Sequence, residues 1–348
     1  MNTSNKASMR ELKSCCYKNG YKLYGKDFFG EPKNRLDNEL HNIEQIPSGA
    51  DSFLILQEYL AKVKRIHRHV RNYDLLYSFR GPASSGLVPY LLGITNIDPM
   101  EPGFYSWSFF RKERICFNLN LSKETCSFLP NLGKELTNVL TIYLDRDLRD
   151  LEAVYKCAPD VHPEKNWKTY DTIICNYLHS CIDHGDISEL NYFQSFDERY
   201  VPHLRDVFAF LKSMDLIPNN LAQLTKLNGF LHCRLKNTGH VAVLNTLARS
   251  GEDFYKNLVT CPEDIYEELV SNGCDPSVAI YIARKMELGI DNLSAKDLLF
   301  AGEYCKSPIF EQLQNINYLF YRSQVFEKSC LTAALMKISN KEGFYASR

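Results

Sequence analysis

At 348 residues, with 45% hydrophobic and 24% charged side chains, the chain is long enough for two or three domains with substantial cores, and its composition excludes a largely disordered polymer. A formal net charge of -1 excludes the overall basic excess of a dedicated nucleic-acid binder, so any such contact must come from a local patch. No apolar run reaches the length of a membrane span, and the polar start MNTSNKASMRELKS has no signal-peptide core. A cytoplasmic protein without a membrane partner is expected.

From Arg10 to Ile43 apolar residues recur at helical spacing, with Leu36, Leu40 and Ile43 as one stripe and a glycine-rich break from Gly25 to Gly30. A second helix is expected from Asp51 to about Arg71. Its broad apolar face carries Leu54, Ile55, Tyr59, Val63 and Ile66, and Lys62, Lys64, Arg65, His67, Arg68 and Arg71 crowd its last turns. Cations at a helix C-terminus are favoured by the dipole alone, and they can also meet phosphates of a nucleic-acid backbone; Lys62, Lys64, Arg65 and Arg68 are the candidates.

The stretch from Tyr77 to Asp98, YSFRGPASSGLVPYLLGITNID, reads as a strand, a small-residue corner and a helix N-terminus. Free backbone N–H groups at such a corner suit a phosphate, which makes Arg80, Gly81, Ser84, Ser85 and Gly86 candidate phosphate or nucleotide contacts, although a plain turn has the same composition. An aromatic stretch, Phe104 to Phe110, then leads to Arg111-Lys112-Glu113-Arg114. Two alternating strands follow. In the first, Phe117, Leu119 and Leu121 point one way and Cys116, Asn118 and Asn120 the other; in the second, Val139, Thr141, Tyr143 and Asp145 oppose Leu140, Ile142 and Leu144. As neighbours, these strands would present Cys116, Asn118 and Asp145 together.

From about Asp147 the strand signals fade and helices are expected at about Pro262 to Asn272, Pro276 to Leu288, Ser294 to Cys305, Ile309 to Phe320 and Phe326 to Ser339. Pro262 and Pro276 suit first helical positions, Asp275 an N-cap, and Gly273 and Gly289 helix stops. The twelve cysteines are scattered, and Cys15 and Cys16 are adjacent, which suits reduced thiols better than a disulfide framework. Cys175, His179, Cys181 and His184 have the donor types for zinc but no common paired spacing, and the apolar, helix-like spacing from Cys175 to Cys181 points to a packed core face instead, so no metal site is expected.

Three blocks together resemble the bacterial C-family replicative polymerases, specifically the PolC-type alpha subunit of DNA polymerase III. YKLYGKDFFGEPKNRLDNELHNI, leading through Ala61 to Arg71 into FRGPASSGLVPYLLGITNIDPMEPGFY, resembles that family's RLExEL helix, SRGSxGSS loop and GITxxxPLPPHY stretch. LNGFLHCRLKNTG (Leu227 to Gly239) is similar to its SGLSHG segment. CPEDIYEELVSNGCDPSVAIYIARKMELG, continuing to INYLFYRSQVFEKSCLTAALMKI, resembles its CRDDIM helix and YMFPKAHAAAY region.

The resemblance implies a predominantly helical α+β chain, with a small nucleotidyltransferase-type palm sheet and N-terminal helices in residues 1–146 and an all-α fingers-like region in 147–348. It leaves no room in this sequence for the family's PHP, exonuclease, clamp-binding and OB regions, for the zinc-knuckle insertion near Pro102 to Arg114, or for a thumb between Ser122 and Val139. The family's two-metal chemistry rests on three aspartates. Matching ICFNLNLSKE to the first catalytic strand puts Cys116 and Asn118 at two of those positions, and matching LTIYLDRDL to the second leaves Asp145 as the third.

A thiol and an amide each remove a negative hard ligand, so loss of polymerase activity is expected, with magnesium relevant only to residual activity. In the loop, Arg80, Gly81 and Ser85 are kept, and Pro82 removes an N–H. Arg322 keeps a cation in the last block, Gln324 stands where the family has histidine, and His232 matches the fingers segment. The reading is a degenerate polymerase relative that binds DNA, a nucleotide or a replication protein. The alternatives are an active nucleotidyltransferase whose metal site is rebuilt from Asp145 with Asp98, Glu113 or Glu124, and an interaction scaffold that mimics the polymerase.

Overall fold

The computed structural model describes residues 3–71, 75–100, 103–110, 115–144, 204–236, 238–249 and 253–330. The chain divides into two units, Met1–Val161 and His162–Arg348, and its architecture is the expected predominantly helical α+β one. The expected boundary at 146/147 falls outside the described residues, as does the Cys175, His179, Cys181, His184 group. Among the described residues no helix is long and apolar enough to cross a membrane.

Helices α1 (Thr3–Tyr24), α2 (Glu31–Glu44) and α3 (Gly49–Arg71) open the first unit, with a 3-10 turn, Gly25–Phe29, at the glycine-rich break. Leu36, Leu40 and Ile43 form the buried stripe of α2, and Phe53, Leu56, Leu60 and Val63 that of α3. His67 turns inward too: it is fully buried, and its ring lies against Phe128 at 5.7 Å.

Strand β1 (Ser78–Arg80) is followed by a 3-10 turn, Ala83–Ser85, and by helix α4 (Leu87–Leu91). Helix α5 (Ser106–Phe109), strand β2 (Phe117–Leu121), helices α6 (Lys123–Cys126) and α7 (Lys134–Thr137), and strand β3 (Leu140–Leu144) complete the described part of the unit. The sheet order is β1-β2-β3, with β1 antiparallel and β3 parallel to β2. A parallel pair needs a crossover of a dozen or more residues, so the stretch from Ser122 to Val139 is spent on α6 and α7. Alternation sorts the side chains of β2 as expected: Phe117, Leu119 and Leu121 are fully buried. Phe117 meets Phe53, Phe79 and Phe109 at ring-centroid distances of 5.6, 5.9 and 5.3 Å.

The short α4 is fixed at both ends by other elements. Its first N–H groups, Leu87 N and Val88 N, donate to the two carboxylate oxygens of Glu39 at 3.0 and 2.9 Å. Beyond its last turn, Asn19, Gln57 and Lys64 donate to the carbonyls of Leu91, Leu92 and Gly93. Glu39 is fully buried and pairs with Arg35 one turn before it, Nε to Oε1 at 3.2 Å. Arg35 spends its remaining donors on the carbonyls of Ser85, Pro99 and Phe104, at 2.6, 2.6 and 2.8 Å. Burial pushes the Glu39 carboxyl above the usual carboxylate range, against the opposing pull of Arg35 and the two N–H groups.

In the second unit the described helices are α8 (Leu204–Ser213), α9 (Leu221–His232), α10 (His240–Arg249), α11 (Phe254–Asn257), α12 (Pro262–Ser271), α13 (Pro276–Met286), α14 (Ala295–Tyr304) and α15 (Ser307–Asn315), with a last helical segment at 322–330. The expected capping is present. Asp275 accepts from Ser277 N and Val278 N, Pro262 and Pro276 stand at helix starts, and Gly289 has φ 92°. A Cβ on Gly289 would lie 2.4 Å from the Asn317 carbonyl, so only glycine fits there.

Two expectations are corrected. The region is not all-α, because strands β4 (Arg234–Leu235) and β5 (Ile316–Tyr318) pair antiparallel. Consequently the helix expected from Ile309 to Phe320 stops at Asn315, where the chain turns extended to reach β4. Of the expected Phe326 to Ser339 helix, residues beyond 330 lie outside the described ones.

The Arg35–Glu39 pair yields a stability prediction. Arg35→Ala should lower unfolding free energy by about 3–5 kcal/mol in urea titration, because it removes the counter-charge of a buried carboxylate and the donor to three carbonyls. Glu39→Gln, which keeps an acceptor for one N–H without charge, should cost clearly less. Equal effects would show that the charge pair is not what holds the corner.

Candidate functional site

The polar face of the sheet gathers the residues singled out on β1 and β2. Arg80 pairs in register with Asn118, and Asn118 with Thr141, so the three share one face. Arg80 is exposed and Asn118 half-buried. The Arg80 guanidinium lies 4.6 Å from the centre of the Tyr143 ring. Asn120, 2% exposed, donates through Nδ2 to Ser78 Oγ at 3.0 Å and leaves its Oδ1 unpaired.

Asp145 lies outside the described residues. Its neighbour Leu144 pairs with Leu121, three positions and about 10 Å along the strand from Asn118. The described end of β3 is therefore level with the far end of β2 rather than with Cys116 and Asn118. The expectation of one face shared by all three therefore rests, for Asp145, on a residue outside the described ones.

Among the described residues, the donors on this face do not suit magnesium. The chain entering β2 offers a half-buried thiol at Cys116 and β2 a neutral amide at Asn118, whose register partner is the cationic residue Arg80. The carboxylates of the rebuilt-site alternative are placed elsewhere or outside the described residues. Asp98 accepts from Tyr24 OH at 2.7 Å and Met100 N at 2.9 Å, Glu124 is exposed on α6, and Glu113 lies outside the described residues. Among the described residues no group of three His, Cys, Asp or Glu side chains is arranged to hold a metal ion.

The corner expected to cradle a phosphate is largely engaged within the protein. Ser84 and Ser85 are buried, at 1% and 0% exposure, and the N–H groups of Leu87 and Val88 are already taken by Glu39. Gly86 has a packing role: a Cβ there would lie 2.8 Å from the Pro89 ring and 3.1 Å from Phe109. Gly81, at φ 79°, serves the turn out of β1. Only Arg80 of that set is an exposed cation. The signal for this arrangement was in RLDNEL, where Arg35 and Glu39 stand at i and i+4 on one helix face, but their inward direction depends on a loop some fifty positions later.

Arg322 is likewise engaged within its own unit. Its guanidinium forks onto Glu267, Nη1–Oε1 2.5 Å and Nη2–Oε2 2.7 Å, and Nη2 also donates to Asp264 at 2.7 Å. Its backbone N–H donates to Glu263. Lys226 adds a second cation on Asp264 at 2.7 Å, and Thr260 donates to the other Asp264 oxygen. This network ties α9, α12 and the 322–330 helix together, so the cation expected to meet phosphate is spent on structure. His232 bonds the Asn228 carbonyl at 2.7 Å and packs on Phe320, and Gln324 is buried.

On α3 the basic end splits. Lys64 caps α4 through the Gly93 carbonyl and lies over the Tyr77 ring at 4.9 Å, so it is not an open backbone contact. Lys62, Arg65 and Arg68 are exposed, spaced three apart on one face.

Burial raises the Asp264 carboxyl, but Lys226 and Arg322 outweigh it and hold it well below the usual carboxylate range. An acid depressed on folding stabilises the native state above its unfolded value and loses that contribution as pH falls through the folded one. Asp264→Asn should therefore destabilise by about 3–5 kcal/mol at pH 7. The gap from wild type should narrow as pH is taken below about 4, where the unfolded carboxyl protonates. A gap independent of pH in denaturant titrations would contradict the charge assignment.

Comparison with curated proteins finds no match to the chain. Residues 10–118 match the family model described as the bacterial DNA polymerase III alpha NTPase domain. The matched span runs from α1 into β2 and ends at Asn118, taking in the Arg35–Glu39 pair, α3 and the β1–α4 corner. It supports a relationship of this stretch to the bacterial DNA polymerase III alpha subunit.

Proposed function

We propose that this protein is a polymerase-related chain that no longer performs nucleotidyl transfer and acts by binding a nucleic-acid backbone. The observation that carries the reading is the polar face of β2. A thiol and an amide occupy the two positions that the resemblance assigns to metal-holding aspartates, with Arg80 in register beside Asn118. Two-metal transfer needs anionic oxygens to bring both cations together, and each missing carboxylate removes several powers of ten in rate. The PolC-type affinity, the palm and fingers assignments, and the binding role belong to this same reading.

Backbone binding is preferred to nucleotide binding for two reasons. The helix N-terminus suited to a triphosphate is taken by Glu39, and the exposed cations Lys62, Arg65 and Arg68 follow one face of α3 over two turns. Binding of this kind releases counterions and weakens steeply with salt.

Primer extension on a recessed duplex, with magnesium or manganese, should give no product. Metal-dependent extension that disappears in Asp145→Ala would overturn the reading. The combined variant Lys62→Glu, Arg65→Glu, Arg68→Glu should weaken duplex binding and flatten the plot of log K against log salt by about 0.9 for each phosphate no longer neutralised. Unchanged affinity and slope would remove α3 as the binding face. A chain that binds no DNA, RNA or nucleotide at low salt would be the interaction scaffold instead.

A further inference from the structure

The end of α1 and the turn after it form an exposed ridge of aromatic rings and cations. Tyr21 and Phe29 are 56% and 66% exposed, and their rings meet edge-on with centroids 6.0 Å apart. Beneath them Phe28 is buried and packs edge-on against Tyr17 at 6.1 Å and against Phe29 at 5.9 Å. Two glycines make this possible. A Cβ on Gly20 would lie 2.3 Å from the Phe28 ring, and Gly25, at φ 59°, turns the chain out of α1 into the 3-10 turn. Phe28 is thus anchored inward while its neighbour Phe29 is held outward.

Lys18, Lys22 and Lys26 are exposed in the same stretch. Among the described residues none of the three has a hydrogen bond, an ion pair or a ring contact. Other lysines of the unit are tied down: Lys13 to Glu44, Lys33 to Asp37 and Lys64 to the Gly93 carbonyl. Asp27 is the one carboxylate between Lys18 and Phe29, so the ridge keeps a local positive excess in a chain of near-zero net charge. Lys18 and Lys22 are one helical turn apart, about 6 Å along the axis.

Flat apolar surfaces interleaved with free cations complement a ligand that carries exposed aromatic faces and regular negative charge. We propose that this ridge is a binding surface for single-stranded nucleic acid, with bases stacked on Tyr21 and Phe29 and phosphates at Lys18, Lys22 and Lys26. A duplex keeps its base faces stacked on one another and has none to offer the rings. The inference rests on the nucleic-acid reading above and extends it to a second surface, on α1 rather than α3, with a different ligand form.

The test is fluorescence anisotropy of the full chain with a labelled oligothymidylate and with a labelled duplex of the same length. Tyr21→Ala with Phe29→Ala should weaken single-strand binding about tenfold or more and leave duplex binding unchanged. Because both rings are exposed, the thermal midpoint should not move, and Tyr21→Trp with Phe29→Trp should restore the affinity. Lys18→Glu with Lys22→Glu and Lys26→Glu should lower the salt dependence of single-strand binding.

Single-strand affinity that is unchanged in the double alanine variant overturns the inference while leaving the α3 reading in place. An equal loss for single strand and duplex overturns it as well. A wild-type chain that binds neither form removes both readings. Attachment to anionic phospholipid vesicles without single-strand affinity would assign the ridge to a lipid surface and overturn it too.

Discussion

The Arg35–Glu39 pair is the interaction on which the first unit depends. A carboxylate with no exposure is costly unless every lone pair is answered, and here a guanidinium and two backbone N–H groups answer it. The pair lies within a single helix, yet its partners come from the β1–α4 corner and from the chain around Pro99 and Phe104. One turn of α2 therefore fixes the direction in which β1 leaves the sheet, the start of α4 and the entry to α5. Since β1 pairs directly with β2, the same pair also sets where Arg80 stands relative to Asn118.

This arrangement separates the face of β2 that maintains the fold from the face that does not. Phe117, Leu119 and Leu121 enter the core beside Phe53, Phe79 and Phe109, and the sheet survives as long as they do. Asn118 and Cys116 lie on or beside the other face and carry little of that burial. Substitution on the polar face costs stability little, so residues there can change without loss of the scaffold. Asn120 is the exception: it is buried, and its amide is tied to Ser78 across the strand pair.

Much of this was legible in the sequence because it depends on local spacing. Period-2 alternation placed the faces of β2, Pro and Asp at helix starts placed α12 and α13, and the glycine-rich break placed the turn after α1. What was hidden depends on partners distant in the chain. Glu39 reads as one more polar position on α2 until the N–H groups of Leu87 and Val88 reach it. Arg322 reads as a free cation until Asp264 and Glu267 fold onto it. β4 and β5 are too short to carry a periodic signal, and each exists only through the other. His67 reads as part of a basic end because sequence spacing alone does not reveal that Phe128 covers its face of α3.

The same distinction governs how the cations should be interpreted. A phosphate-binding motif supplies positive charge and free N–H groups, and three of the candidate groups in this protein are already engaged internally: the α4 N-terminus by Glu39, Arg322 by Asp264 and Glu267, and Lys64 by a carbonyl. An internal carboxylate occupies the place of an external anion and competes with it at effectively unlimited local concentration. Cations outside these networks incur no such competition. They include Lys18 and Lys22 on α1, Lys26 in the turn after it, and the exposed Lys62 and Arg65 on α3. With a net charge of -1, long-range attraction of a polyanion is weak, so the nucleic-acid binding proposed above would rest on these short-range rows. Under that proposal, affinity is decided by contacts within about one Debye length of these cations rather than by the charge of the whole chain.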